Sequence, residues 1–184
     1  MSQYFCSIVD NALCNPAQRM YFDLGEYRYG LTIVGDGEPI VCFHGFSESS
    51  YTWDAINLPD YRVVRIDLIG HGDSDIPDED KAYTIPQMIE DLHTVIYHMV
   101  GDRYYLMGYS MGARIALSYA LEYESEIKGI ILESGSVGIA SDDERAKRRK
   151  ADEELAVQIE NHDGAWFATR WAEGPIFESQ KQLS

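Results

Sequence analysis

From Tyr27 onward the chain alternates, with Tyr27, Tyr29, Leu31 and Ile33 separated by Arg28, Gly30, Thr32 and Val34. A period of two predicts a half-buried strand. Gly35-Asp36-Gly37 then gives a turn signal. Ile40–Phe43 is apolar at every position, the pattern of a short strand buried on both faces of a parallel sheet. Arg62–Asp67 (RVVRID) predicts another strand, ending at the polar loop Leu68–Asp80. Over Pro86–Val100 the period changes: Met88, Ile89, Leu92, Val95, Ile96 and Met99 share one helical face, and Pro86 suits the first turn of such a helix. A strand over Arg103–Met107 leads through Gly108-Tyr109-Ser110-Met111-Gly112 into a helix carrying Ile115, Ala116, Tyr119 and Ala120, and Ile127–Glu133 is the next apolar run.

Strands and helices thus alternate from residue 40 to 134, the order that builds a parallel sheet with helices on its faces, so the expected class is α/β. Residues 1–19 show no period and read as a loose leader. After Gly138 the character changes to a highly charged helical stretch, Asp142–Asn161, and an aromatic-rich one, Trp166–Phe177. The organisation expected is therefore a leader (1–19), an α/β core (20–137) and a helical cap (138–184).

With 45% hydrophobic residues over 184 positions, the chain can bury a sizeable core. Its 31 acidic against 15 basic residues, a net charge of −16, exclude the basic footprint that a nucleic-acid binder needs. No apolar run approaches a membrane-spanning length, and the first residues lack the pattern of a secretory signal. Cys6, Cys14 and Cys42 are odd in number and lack metal-ligand spacing, which reads as free thiols in a reducing compartment; the expected location is the cytoplasm.

The segment with most chemical content is Gly108-x-Ser110-x-Gly112, set between a predicted strand and a predicted helix. A nucleophile elbow requires that context: a tight turn lifts the serine hydroxyl above the C-terminal edge of the sheet. The glycines permit strained angles and close approach of strand to helix, and the helix N-terminus favours developing negative charge. The plain alternative is a glycine-containing turn with an idle serine. His44-Gly45-Phe46 follows the strand at 40–43, where an oxyanion-hole amide is expected; the Phe46 and Met111 N–H groups would form the pair. Asp67-Leu68-Ile69-Gly70-His71-Gly72-Asp73-Ser74 follows the next strand.

This ordered series, H-G-F, D-x-x-G-H-G-x-S and G-x-S-x-G, resembles the α/β-hydrolase superfamily, which implies an α/β-hydrolase fold. Gly108-Tyr109-Ser110-Met111-Gly112-Ala113-Arg114, together with Glu144-Arg145-Ala146-Lys147-Arg148, Trp171, Pro175-Ile176-Phe177 and Ser179-Gln180, is similar to the 2-succinyl-6-hydroxy-2,4-cyclohexadiene-1-carboxylate synthases of menaquinone biosynthesis. The resemblance implies a lyase that eliminates pyruvate from a polycarboxylate cyclohexene through a Ser-His-Asp triad. It places Ser110 as nucleophile, Arg114 and Arg148 on substrate carboxylates, and Tyr109 and Trp171 along the pocket. No metal, nucleotide or flavin is implied. Five of the 15 basic residues fall in Arg145–Lys150; for that run as a whole, a solvated face with i,i+3 and i,i+4 ion pairs is the simpler reading. Ala113 and Ile69 depart mildly from the family pattern, where Gly and Pro are frequent.

In this superfamily the acid and the histidine follow the serine on later strands, whereas here only the cap region follows the strand at 127–133. His93 and His98 lie on the 86–100 helix, His44 and His71 in shaping loops, and His162 at the end of the cap helix. None sits at the general-base position. A serine without its base keeps only the contribution of the oxyanion hole and binding, so a chain of these residues alone is expected to be nearly inactive, with an exposed sheet edge. Two other functions fit the same residues: a carboxylesterase or C–C-bond hydrolase on the same fold, and a truncated non-catalytic binder. The partner expected in every case is a small molecule, with no nucleic acid and no membrane.

Overall fold

A computed structural model describes residues 17–174. The chain divides into two compact units at Val137/Gly138. The first contains strands β1 (Gln18–Asp23), β2 (Arg28–Val34), β3 (Glu38–Phe43), β4 (Tyr61–Ile66), β5 (Tyr104–Tyr109) and β6 (Ile127–Glu133), with helices α1 (Ile85–Met99) and α2 (Met111–Glu122). They form one six-stranded sheet in the order β1-β2-β4-β3-β5-β6. The β1–β2 and β2–β4 pairs are antiparallel; β4–β3, β3–β5 and β5–β6 are parallel. The expected α/β class therefore holds, with an antiparallel pair added at one edge.

The sheet begins earlier than the periodicity suggested. Gln18 and Arg19, read as leader, belong to β1, where Arg19 faces Thr32 of β2. In β1, Met20 and Phe22 are buried while Arg19, Tyr21 and Asp23 are not. That alternation is present in the sequence but is short and lies beside an unpatterned stretch. Residues 1–16, with Cys6 and Cys14, and Pro175–Ser184 lie outside the described residues.

The continuous apolar runs are explained by burial on both faces. Val41, Phe43, Val64, Ile66 and Leu106 point to one side, where α1 contributes Met88, Ile89, Leu92, Val95 and Ile96, and α2 contributes Ile115, Ala116 and Tyr119. Ile40, Cys42 and Val63 point to the other, against Trp53. Successive strand side chains alternate in direction, so one run feeds both layers. Full burial of each large apolar side chain stabilises by about 1.5–3 kcal/mol.

The second unit holds helices α3 (Asp142–Glu160) and α4 (Gly164–Ala172). Ser141 caps α3 by accepting the Glu144 N–H, and Asp163 caps α4 by accepting the Trp166 N–H. The charged run behaves as an ion-paired surface: Arg145 pairs with Asp142, Arg148 with Asp152, and Lys150 with Glu154. Among the described residues, no helix is long and apolar enough to cross a membrane.

Candidate active site

The register of the parallel strands brings the motif loops to one edge. Phe43 is paired with both Ile66 and Gly108, and Gly108 with Leu132. His44, Asp67 and Ser110 therefore emerge just beyond the C-terminal ends of neighbouring strands, the place where open α/β sheets carry their chemistry.

Ser110 sits between β5 and α2 at φ 53°, ψ −110°. A non-glycine residue at positive φ is held there by its surroundings at a cost of about 1–3 kcal/mol. Its N–H donates to the Glu133 carbonyl at 2.8 Å, tying the turn to the end of β6. Gly112 explains the tightness: a Cβ at that position would lie 2.1 Å from the Phe43 carbonyl oxygen and 2.5 Å from that of His44. Glycine thus lets the first turn of α2 press against the backbone that leads into Gly45 and Phe46. A Cβ on Gly45 would in turn meet the Tyr109 ring at 3.0 Å, so the elbow and the H-G-F loop are in direct contact. Met111, the first residue of α2, packs partly against the larger core layer, and Arg114 lies exposed one turn further on, its N–H reaching the Ser110 carbonyl at 3.4 Å. Ala113 is buried, and a Cβ on Gly135 would meet its methyl at 2.6 Å.

The D-x-x-G-H-G-x-S segment is organised by Asp67, which is fully buried. Its carboxylate accepts the Ser50 N–H at 2.5 Å and the Asp73 N–H at 3.0 Å, and is ion-paired with Arg19. Arg19 also donates to Thr32, Ser50 and Asp73. Burial by itself pushes the Asp67 pKa up, but these backbone donors and the guanidinium outweigh it and hold the acid below its ordinary value. Gly72, at φ 54°, passes so close that a Cβ would strike the carboxylate. Ser74 closes the loop, donating to the Asp67 carbonyl at 2.6 Å and accepting the Gly30 N–H at 2.9 Å. Arg19 as counter-ion was not legible in the sequence; 48 residues separate it from Asp67.

Each of the five histidines has its ring on other groups. His44 accepts the Leu68 N–H and meets the Gly45 carbonyl; His71 meets the Ile69 carbonyl. His93 stacks on Tyr123 with ring centroids 3.9 Å apart and bonds Glu126 at 3.0 Å. His98 bonds the Thr94 carbonyl one turn back in α1, and His162, just past the end of α3, bonds that of Gln158. In the second unit, both Asp152 oxygens lie 2.8 Å from Arg148 Nε, and Trp171 stacks on Phe167 at 5.7 Å.

Comparison with known proteins agrees with this geometry. A Bacillus subtilis (strain 168) protein named "Putative 2-succinyl-6-hydroxy-2,4-cyclohexadiene-1-carboxylate synthase" is 35% identical over 161 residues, which is 85% of this chain and 59% of that protein. An Enterobacter sp. (strain 638) protein named 2-succinyl-6-hydroxy-2,4-cyclohexadiene-1-carboxylate synthase is 30% identical, over 78% of this chain and 55% of its own length. The chain therefore spans little more than half the length of these curated relatives. Among solved structures, a thioesterase domain from the curacin biosynthetic pathway superposes with a TM-score of 0.65 at 26% identity, over 75% of this chain and 53% of that one. A profile of the alpha/beta hydrolase fold matches residues 38–178, most of the chain. With a mostly parallel sheet whose strand β5 turns through a strained serine into α2, this chain belongs to the α/β-hydrolase fold family.

Proposed function

We propose that this chain carries the nucleophile and substrate-anchoring portion of a lyase that eliminates pyruvate from 2-succinyl-5-enolpyruvyl-6-hydroxy-3-cyclohexene-1-carboxylate in menaquinone biosynthesis. The observation that carries the reading is Ser110 at positive φ between β5 and α2, in a chain whose curated relatives bear that synthase name. Ser110 acts as nucleophile or proton relay, and the Phe46 and Met111 N–H groups face developing oxyanion charge. Arg114 and Arg148 hold carboxylates, which a guanidinium grips through two parallel bonds; Arg148 exchanges Asp152 for the substrate. Tyr109, beside Ser110 in the elbow, contacts the substrate, and the resemblance assigns Trp171 a substrate-binding part as well. In a protein of net charge −16, a polycarboxylate needs such locally concentrated positive charge. The ring nitrogens of the five histidines are engaged with other groups, so this reading takes none of them as the general base. The test is pyruvate release by this chain and by a form extended to the relatives' full length. Release by the extended form, lost in Ser110→Ala and Arg114→Ala, supports the reading; turnover of neutral esters without pyruvate from the cyclohexene acid would sink it.

The likeness to a thioesterase domain favours one rival, an esterase or C–C-bond hydrolase on the same framework. That reading expects ester cleavage to survive Arg114→Ala. The ring commitments of the histidines favour another, a non-catalytic binder of carboxylates. Calorimetry with the dicarboxylate product separates it: heat with the 184-residue chain supports binding, and no heat at millimolar ligand with folded protein removes it.

A further inference from the structure

We propose that His44 is a positioning residue for the oxyanion-binding amide: by holding the Leu68 N–H and the Gly45 carbonyl on its two ring nitrogens, it fixes the plane of the Gly45–Phe46 peptide and so the direction of the Phe46 N–H. The inference rests on the reading of Ser110 as nucleophile and adds a residue to that site.

The argument starts from the ring's burial. His44 is fully buried. Leu68 N is a donor and lies 2.9 Å from Nε2, so Nε2 is the unprotonated, accepting nitrogen. A neutral imidazole then carries its proton on Nδ1, which donates to the Gly45 carbonyl at 2.8 Å. In a planar trans peptide the C=O and the following N–H point in opposite directions. Pinning the Gly45 oxygen therefore aims the Phe46 N–H, and donation to that oxygen polarises the same amide. The other side of Gly45 is held as well: its N–H donates to Glu48 Oε2 at 3.0 Å, and its carbonyl also receives the Glu48 N–H at 3.4 Å. The Phe46 side chain is set by the same neighbouring loop, its ring meeting His71 edge-on with centroids 6.0 Å apart. Two residues of the D-x-x-G-H-G-x-S segment, Leu68 and His71, thus brace both ends of one amide. Burial, aided by the nearby His71, lowers the His44 pKa to about 4, against the raising effects of the Gly45 carbonyl and Asp67, which keeps the tautomer single at neutral pH. An apolar ring of similar size would fill the space and lose both bonds.

The experiment uses the 184-residue chain, its His44→Gln and His44→Phe variants, and Ser110→Ala as the labelling control. Imidazole 15N shifts are recorded between about pH 7 and 5.5, together with the Phe46 amide resonance, the unfolding midpoint and the rate of fluorophosphonate labelling at Ser110. The brace gives an Nδ1-protonated neutral ring throughout that range. Labelling is expected to fall about 100-fold in folded His44→Phe, the loss typical of one oxyanion donor. The fall should be smaller in His44→Gln, whose amide can still donate and accept. An Nε2-protonated ring or an imidazolium in that range overturns the proposal, as does folded His44→Phe labelled at the parent rate. If the parent, without a general base, is labelled at Ser110 too slowly to compare, the nucleophile reading is tested by pyruvate release from the extended form and the Phe46 amide decides the brace: an unmoved resonance in His44→Phe overturns it, and a displaced one supports it. Should His44→Phe not fold, the parent's ring tautomer decides.

Discussion

At the scale of single residues, the site depends on backbone approach more than on side-chain contact. Gly112 is the sharpest case, because a methyl there would meet the carbonyl oxygen of Phe43, which the sheet holds in place, and that of His44 just beyond it. Gly112→Ala is expected to destabilise by about 3 kcal/mol, the upper end of overpacking effects, read as a shift in the urea midpoint. His44 makes a second expectation through its titration. Its folded pKa of about 4 lies below its ordinary 6.5, so its contribution is intact above pH 6.5 and is lost as pH falls from there to 4. The full loss is about 3 kcal/mol by linkage. Asp67, whose pKa is also lowered, adds a further loss only below the usual carboxylate range. Stability measured against pH should therefore fall in two stages, and His44→Gln should remove the first alone. The serine, the glycines and the H-G-F loop were legible in the sequence because their chemistry is local and their order is fixed. Arg19 was not, because a pairing across 48 residues leaves no trace in periodicity.

At the scale of elements, β3 to β6 and both core helices were legible from their apolar runs, with ends displaced by a residue or two. The sheet's first strand was missed because Met20 and Phe22 give only two inward positions beside unpatterned sequence. The two edges of the sheet differ physically. β1 buries one face, whereas in β6 Ile130, Ile131 and Leu132 are 41%, 50% and 39% exposed. Such a strand is a template for unwanted pairing. Ile131→Lys places a charge on it and is expected to lower concentration-dependent light scattering while moving the unfolding midpoint little.

At the scale of the whole molecule, a net charge of −16 makes self-repulsion a standing cost to compactness. Salt at about 0.5 M screens exposed charges within a few ångströms, while the half-buried Arg19–Asp67 pair, with Asp67 fully enclosed, is screened less. Added salt is expected to raise the thermal midpoint by a few degrees; a fall would mean that surface ion pairs such as Arg148–Asp152 outweigh the net repulsion.

Arg19 also bears on translation. Met20 is the next residue, so initiation there would yield a protein that keeps residues 20–23 of β1 but lacks the guanidinium that faces Asp67, Asp73, Thr32 and Ser50. Removing one partner of a fully buried pair costs about 3–5 kcal/mol; with Asp67 enclosed and Arg19 partly exposed, the cost here falls below that range. A ribosome starting at Met20 is expected to produce a chain that unfolds at markedly lower urea than one that includes Arg19. Comparing the two products by chemical denaturation would show whether a start codon upstream of Met20 is a condition of folding.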